Sequence, residues 1–202
     1  MQETIVLAGR DLEILRPRDS EALLDEQAFE HEEFLPYWAE LWPSGVALAR
    51  RVAARALHGA RTLELGCGLA LPSMAAMLAG GRALATDWSP GAIELARENA
   101  ERNGIALDVL RCSWEEPEAI LADAPWDLVL GADLLYEQRN ADALLALLPR
   151  LAGERTEIWI ADPGRPVAGR FLERAGTSFA VDSTPDAALP QGALHRLRAR
   201  RR

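Results

Sequence analysis

The sequence contains no lysine; all 22 of its basic residues are arginine. It therefore offers no lysine side chain of its own for modification. Cysteine is nearly as scarce: Cys67 and Cys112 are the only two, and they show no metal-ligand spacing. A disulfide framework is excluded, and Cys67, set between two glycines, reads as a packing residue rather than a redox centre. No apolar run approaches the roughly 20 residues of a membrane-spanning helix. The opening stretch MQETIVLAGRDLEIL lacks a basic region followed by an apolar one, so no secretory signal is expected. These absences predict a cytoplasmic, reduced protein that does not engage a membrane. Net positive charge is also missing: 31 acids against 22 bases leave −9, which argues against a broad nucleic-acid interface. The exception is the tail, with His195, Arg196, Arg198, Arg200, Arg201 and Arg202. It reads as a last strand with arginines on its wet face running into a solvated end; a docking patch for an acidic partner is the alternative.

No internal repeat or linker is visible, and 202 residues fit a single domain spanning 1–202. Its centre is Arg61 to Trp88. Thr62 to Leu65 reads as a buried strand, and Gly66-Cys67-Gly68 as a turn where backbone can approach a ligand closely. Pro72 and Ser73 open a helix that Gly80-Gly81 stops. Ala83 to Thr86 reads as a second strand ending on Asp87. Strand, glycine turn, helix, strand and acid make the βαβ unit of a nucleotide-binding sheet, with Asp87 placed to grip a ribose.

The spacing departs from the dinucleotide fingerprint, because Gly68 is followed by Ala70 and Glu64 precedes the first glycine. This argues against a nicotinamide-dependent oxidoreductase. The pattern E-x-G-x-G-x-A resembles the first motif of the seven-strand methyltransferases that use S-adenosylmethionine. That resemblance implies an α/β fold: a Rossmann-like, mostly parallel seven-stranded sheet with its last strand antiparallel, helices on both faces and a small N-terminal extension. It also implies that the glycine turn wraps the amino-acid part of the cofactor and that Asp87 holds the ribose hydroxyls. Glu64, Gly66, Cys67, Gly68, Asp87 and Trp88 are then cofactor-binding residues.

The remaining chain adds to this frame. Thr4–Leu7 and Asp11–Leu15 flank a turn and predict a hairpin, and a helix is expected from Glu21 to His31. Together with the aromatic segment PYWAELWPSG they form an extension over 1–45, ahead of a core over 46–202. Ser44 is expected to cap a helix from Val46 to Leu57, and Ser89 one ending near Asn103. Leu107–Cys112 reads as the third strand; Ser113 and Trp114 follow it, with Trp114 placed either to cover the adenine or to plug the sheet edge. Trp126–Leu130 is the fourth strand, running into Gly131, Ala132, Asp133 and Tyr136. Helices over Ala141–Ala152 and Pro166–Ala175 and strands over Glu157–Ala161, Thr177–Asp182 and Ala193–Ala199 complete the expectation; Asp182–Gly192 is read as a connection.

Asp133-x-x-Tyr136 resembles the D-x-x-Y motif of the protein-methylating branch of the family, and WPSG resembles the segment preceding the first motif there. The turn Asp162-Pro163-Gly164-Arg165 resembles the lysine methyltransferases of the electron-transfer flavoprotein beta subunit and their bacterial relatives. The resemblance implies that Asp133 and Tyr136 are catalytic and that Trp42, Ser113, Trp114 and Ala132 adjoin the cofactor. Trp38, Trp42 and Tyr136 would wall the amine, while Asp162 and Arg165 read as turn residues. The implied reaction is methyl transfer to a protein lysine, without a metal. A small-molecule amine substrate and a catalytically silent cofactor-binding domain are the alternatives.

Overall fold

The computed structural model describes residues 1–18 and 37–200. The helix expected over 21–31 lies outside the described residues, as do Arg201 and Arg202. β1 (Gln2–Leu7) and β2 (Arg10–Leu15) pair antiparallel as the expected hairpin. The other strands are β3 (Arg61–Leu65), β4 (Arg82–Asp87), β5 (Asp108–Arg111), β6 (Trp126–Ala132), β7 (Ala152–Asp162), β8 (Phe179–Asp186) and β9 (Leu189–Ala199). They form one seven-stranded sheet in the order β5-β4-β3-β6-β7-β9-β8. β3 to β7 run parallel, and β9 lies antiparallel between β7 and β8.

Helices cover both faces. α1 (Pro43–Ala53), α2 (Leu71–Leu78) and α3 (Pro90–Arg102) bury Leu48, Met74 and Ala100 with Leu128, Leu130 and Trp159 of the sheet. On the other face α4 (Glu118–Leu121), α5 (Gln138–Leu151) and α6 (Ala168–Ala175) bury Ile120, Leu144 and Phe171 with Leu63, Val129 and Ile158. The central strands read as unbroken apolar runs because alternate side chains enter opposite cores. Among the described residues no helix is long and apolar enough to cross a membrane.

The structure corrects several local expectations. α1 starts at Pro43 and ends at Ala53, and its N-cap is Trp42 with no side-chain cap bond. Ser44 lies one residue inside the helix, its hydroxyl buried without a hydrogen-bond partner. Ser89 is the N-cap of α3, but its side chain makes no cap bond. β7 starts at Ala152, before Glu157, because Ala152 pairs with Trp126 across an irregularity in the ladder. Most of the expected connection between Asp182 and Gly192 is strand: β8 and β9 pair from Phe179↔Ala199 to Asp186↔Leu189. Pro185 is accommodated there because β8 is the outermost strand of the sheet.

The topology brings the ends of five parallel strands together. β3 has β4 and β5 on one side and β6 and β7 on the other. Chain direction across the sheet reverses at the β3–β6 pair, and a crevice opens at the carboxyl ends of such strands.

Candidate active site

The crevice is a cleft of about 1050 Å³, and every segment that leaves a parallel strand reaches it. The floor is the turn after β3. Gly66, Gly68 and Ala70 have φ of +59°, +48° and +58°, the left-handed region. A Cβ on Gly66 would stand 2.7 Å from Leu134 Cδ2, and one on Gly68 would stand 2.9 Å from the Trp38 carbonyl oxygen. Glycine is required at both positions by conformation and by contact. Ala70 carries the same conformation with a methyl group, and the chain turns there into α2.

Two carboxylates flank the turn. Glu64 is 1% exposed, and its Oε2 accepts hydrogen bonds from the Ser73 backbone N–H (2.8 Å) and the Ser73 hydroxyl. Burial pushes its carboxyl up to about 8 against the pull of those bonds, with Asp87 adding to the rise. Asp87 closes β4. Its Oδ2 accepts from the Gly68 N–H and its Oδ1 from the Ser89 N–H, each at 3.0 Å. Burial raises its pKa as well. Cys67 is buried between the two acids, and desolvation lifts its thiol well above the ordinary range, which leaves it a packing residue.

After β5, Ser113 and the half-buried Trp114 line the cleft. Trp114 touches both the glycine turn, with Cζ2 3.6 Å from the Gly66 Cβ position, and the core beneath α5. Trp88 also lines the cleft and is 41% exposed.

The segment before α1 supplies the remaining aromatic wall. The Trp38 indole lies on the first turn of α3, so close that a Cβ on Gly91 would meet it at 2.7 Å. The backbone of Trp38 is set against the glycine turn, where its carbonyl oxygen faces the Gly68 Cβ position. Trp42 donates its indole N–H to the Tyr37 carbonyl at 2.7 Å, and its ring lies 6.4 Å from the Tyr37 ring. Tyr37 is in turn 5.5 Å from Tyr136, ring to ring. Burial raises the Tyr136 phenol, against a hydrogen bond with Asn140.

Ala132 ends β6 and Asp133 follows it. Asp133 adopts φ +55°, with its N–H donating to the Ala161 carbonyl of β7 at 2.9 Å. α5 begins only at Gln138, so Asp133 is not its cap. The carboxylate meets Arg165 instead: Nε donates to Oδ1 at 2.8 Å and a terminal guanidinium nitrogen to Oδ2 at 3.1 Å. Arg165 is placed by its own turn, because Asp162 Oδ1 accepts from the Gly164 and Arg165 N–H groups, both at 2.8 Å. Its guanidinium carbon is 5.8 Å from the Trp42 ring centre. The Asp133 bond holds the guanidinium charged.

All twelve residues singled out in the sequence line this cleft. Two further participants are not visible in the sequence spacing. Arg165 appeared only as a turn residue, since spacing cannot tell that a side chain reaches back 32 residues to Asp133. Tyr37 was visible as an aromatic before a helix, but its contact with Tyr136 is purely tertiary.

The sequence pattern of the family described as lysine methyltransferase matches residues 30–175. The electron transfer flavoprotein beta subunit lysine methyltransferase of Xenopus laevis is 36% identical over 137 residues, 64% of this chain and 53% of the relative. The histone-arginine methyltransferase METTL23 of Mus musculus is 29% identical over 116 residues, 54% of this chain and 46% of the relative. This chain spans about half the length of these curated relatives. A TehB-like S-adenosylmethionine-dependent methyltransferase from Corynebacterium glutamicum has the same fold, with a TM-score of 0.61 at 18% identity, covering 89% of this chain and 100% of that one. The family match runs from ahead of the aromatic segment to the end of α6 and takes in the glycine turn, Asp133 and Arg165, so the chain belongs to the lysine methyltransferase family.

Proposed function

We propose that this protein transfers the methyl group of S-adenosylmethionine to a lysine side-chain amine of another protein. The observation that carries the proposal is the juxtaposition in one cleft of two sites. One is the glycine turn flanked by Glu64 and Asp87; the other is Asp133 within an aromatic wall of Tyr37, Trp42 and Tyr136.

The turn fits the cofactor because it leaves room a Cβ would fill and is flanked by the carboxyl groups of Glu64 and Asp87. Asp87 would hold the ribose hydroxyls, and Glu64, Gly66, Cys67 and Gly68 would enclose the amino-acid end. Trp88, Ser113, Trp114 and Ala132 line the rest. When bound, S-adenosylmethionine supplies a sulfonium methyl, which needs no metal for its transfer. The protein's task is to hold the nitrogen in line with it, and well-oriented reactants gain about 7–11 kcal/mol over free solution.

A lysine amine has a pKa of about 10.4 and arrives protonated. A partly apolar pocket favours its neutral, nucleophilic form. Asp133 accepts a hydrogen bond from the amine and orients it, while Tyr136 packs beside it. Tyr37, Trp88 and Tyr136 are 40%, 41% and 38% exposed, so the cleft is open enough at its mouth for a side chain carried on a protein surface.

The test is transfer of labelled methyl from S-adenosylmethionine into total soluble protein of a related bacterium, followed by separation by size. The expected result is a labelled protein band with the wild type that falls at least a hundredfold with Asp133→Ala, while affinity for S-adenosylhomocysteine is kept. Label confined to the small-molecule fraction would replace the protein substrate with a metabolite. No label in either fraction, with cofactor binding intact, would make this a silent binding domain.

A further inference from the structure

The carboxylate offered to the substrate amine is already paired with a cation. Both Asp133 oxygens accept from Arg165, in the parallel two-bond arrangement that a guanidinium fork makes with a carboxylate. The pair is not an exposed surface contact: the Asp133 side chain is 5% exposed and that of Arg165 is 34% exposed, on the cleft side. Nor is the arginine free to leave, since its backbone is pinned by Asp162 and its guanidinium rests near the Trp42 ring.

Two of the neighbouring acids are paired with arginines of their own. Glu40 is bound by Arg16 and Glu137 by Arg139. Asp87 and Asp162 accept backbone N–H groups instead; Asp162 lies beneath the turn, facing Arg165 and His195 of β9, whose pKa is lowered by burial. Burial raises the Tyr136 phenol, so it adds no charge of its own. A substrate group arriving beside Asp133 therefore meets a carboxylate already paired with a guanidinium, with the cationic half a few ångströms away.

We infer that Arg165 sets the substrate class: it admits a neutral amine and turns away a permanent cation, selecting lysine over arginine. The inference rests on the proposed methyl transfer to protein and concerns the same cleft. A lysine amine can shed its proton and then accept Arg165 as a neighbour at no electrostatic cost. A substrate guanidinium cannot be deprotonated, so it would have to share one carboxylate with a second guanidinium. The remaining lone pairs of Asp133 can accept from the N–H of a neutral amine. Relatives named for lysine and for arginine methylation both resemble this chain.

The experiment uses full-length protein loaded with S-adenosylhomocysteine and two probes, n-butylamine and n-butylguanidinium, titrated by NMR or calorimetry at pH 7.5, 8.5 and 9.5. In the wild type, n-butylamine affinity should rise close to tenfold per pH unit, following the neutral fraction of an amine whose pKa is about 10.4. n-Butylguanidinium should bind at least tenfold more weakly than the amine at pH 9.5. In Arg165→Gln the carboxylate is uncompensated: n-butylguanidinium affinity should rise at least tenfold, and the pH dependence for n-butylamine should flatten as the ammonium form binds. Arg165→Lys keeps the charge and should keep the wild-type pH dependence. If Arg165→Gln binds S-adenosylhomocysteine normally yet leaves both probes unchanged, Arg165 only shapes the turn and the inference fails. These binding results stand apart from the labelling assay: absence of protein label in the wild type would overturn the methyl-transfer reading, and an unmoved probe preference would overturn the role of Arg165 alone.

Discussion

At the scale of single residues, Glu64 ties chemistry to stability most directly. It is enclosed between β3 and α2 with Ser73 as its partner, and burial pushes its carboxyl to about 8. The folded protein keeps a proton there that the unfolded chain releases near pH 4.5. The stability contribution is thus complete below the unfolded value and is lost progressively as pH rises to about 8. The slope for one such proton is at most about 1.4 kcal/mol per pH unit. Calorimetric melting between pH 5 and 8 should therefore show a steeper fall in Tm for the wild type than for Glu64→Gln, which has no proton to lose. Parallel curves would mean that Glu64 is ionised in the folded state. Asp87 and Asp162 are shifted in the same direction and are present in both proteins, so the difference reports Glu64 together with its coupling to Asp87.

At the scale of elements, the N-terminal hairpin is held by side chains that imitate a strand. Asn99 and Asn103 lie one turn apart on the same side of α3. Asn99 Oδ1 accepts from the Leu15 N–H at 2.7 Å, and its Nδ2 donates to the Leu15 carbonyl at 3.1 Å. Asn103 treats Glu13 likewise, each bond at 2.9 Å. Arg16 then links the hairpin to Glu40 in the aromatic segment. Both asparagines are buried, so replacing one by an apolar residue strands backbone groups, at about 1–3 kcal/mol. Asn99→Leu should lower Tm by a few degrees, at about 2–4 °C per kcal/mol for a chain of this size. It should also speed hydrogen exchange at the Leu15 amide. An unchanged Leu15 amide would show that the hairpin stays docked without this bond.

The extension, the glycine turn and the D-x-x-Y segment meet only at the scale of the whole molecule. Binding at their junction should stabilise all of it. At a concentration 100 times its dissociation constant, S-adenosylhomocysteine should add about 2.7 kcal/mol, or roughly 5–10 °C in Tm. NAD should add nothing measurable, because the turn lacks the third glycine of the dinucleotide fingerprint. A comparable shift with NAD would overturn the cofactor assignment.

Local rules sufficed where the information is local. Apolar runs bounded by glycine and proline announced β3, β4 and β6, and the acids at positions 64 and 87 were legible from their register against Gly66 and Gly68. Helix boundaries were less legible. Ser44 carries the chemistry of a cap yet sits inside α1, since Pro43 is already in the helical conformation. The strand content of Asp182–Gly192 was hidden because an outer strand tolerates polar residues and proline that a central one does not. The sequence by itself therefore determined the class of fold, the glycine turn after β3 and the candidate pair Asp133 and Tyr136. Only the tertiary structure decided that the Trp38 indole lies on the first turn of α3, that Tyr37 meets Tyr136 and that Arg165 closes on Asp133. Those contacts join chain segments whose separation is set by strand order, and strand order is settled by how two hydrophobic faces are covered at once, not by the residues adjacent in sequence.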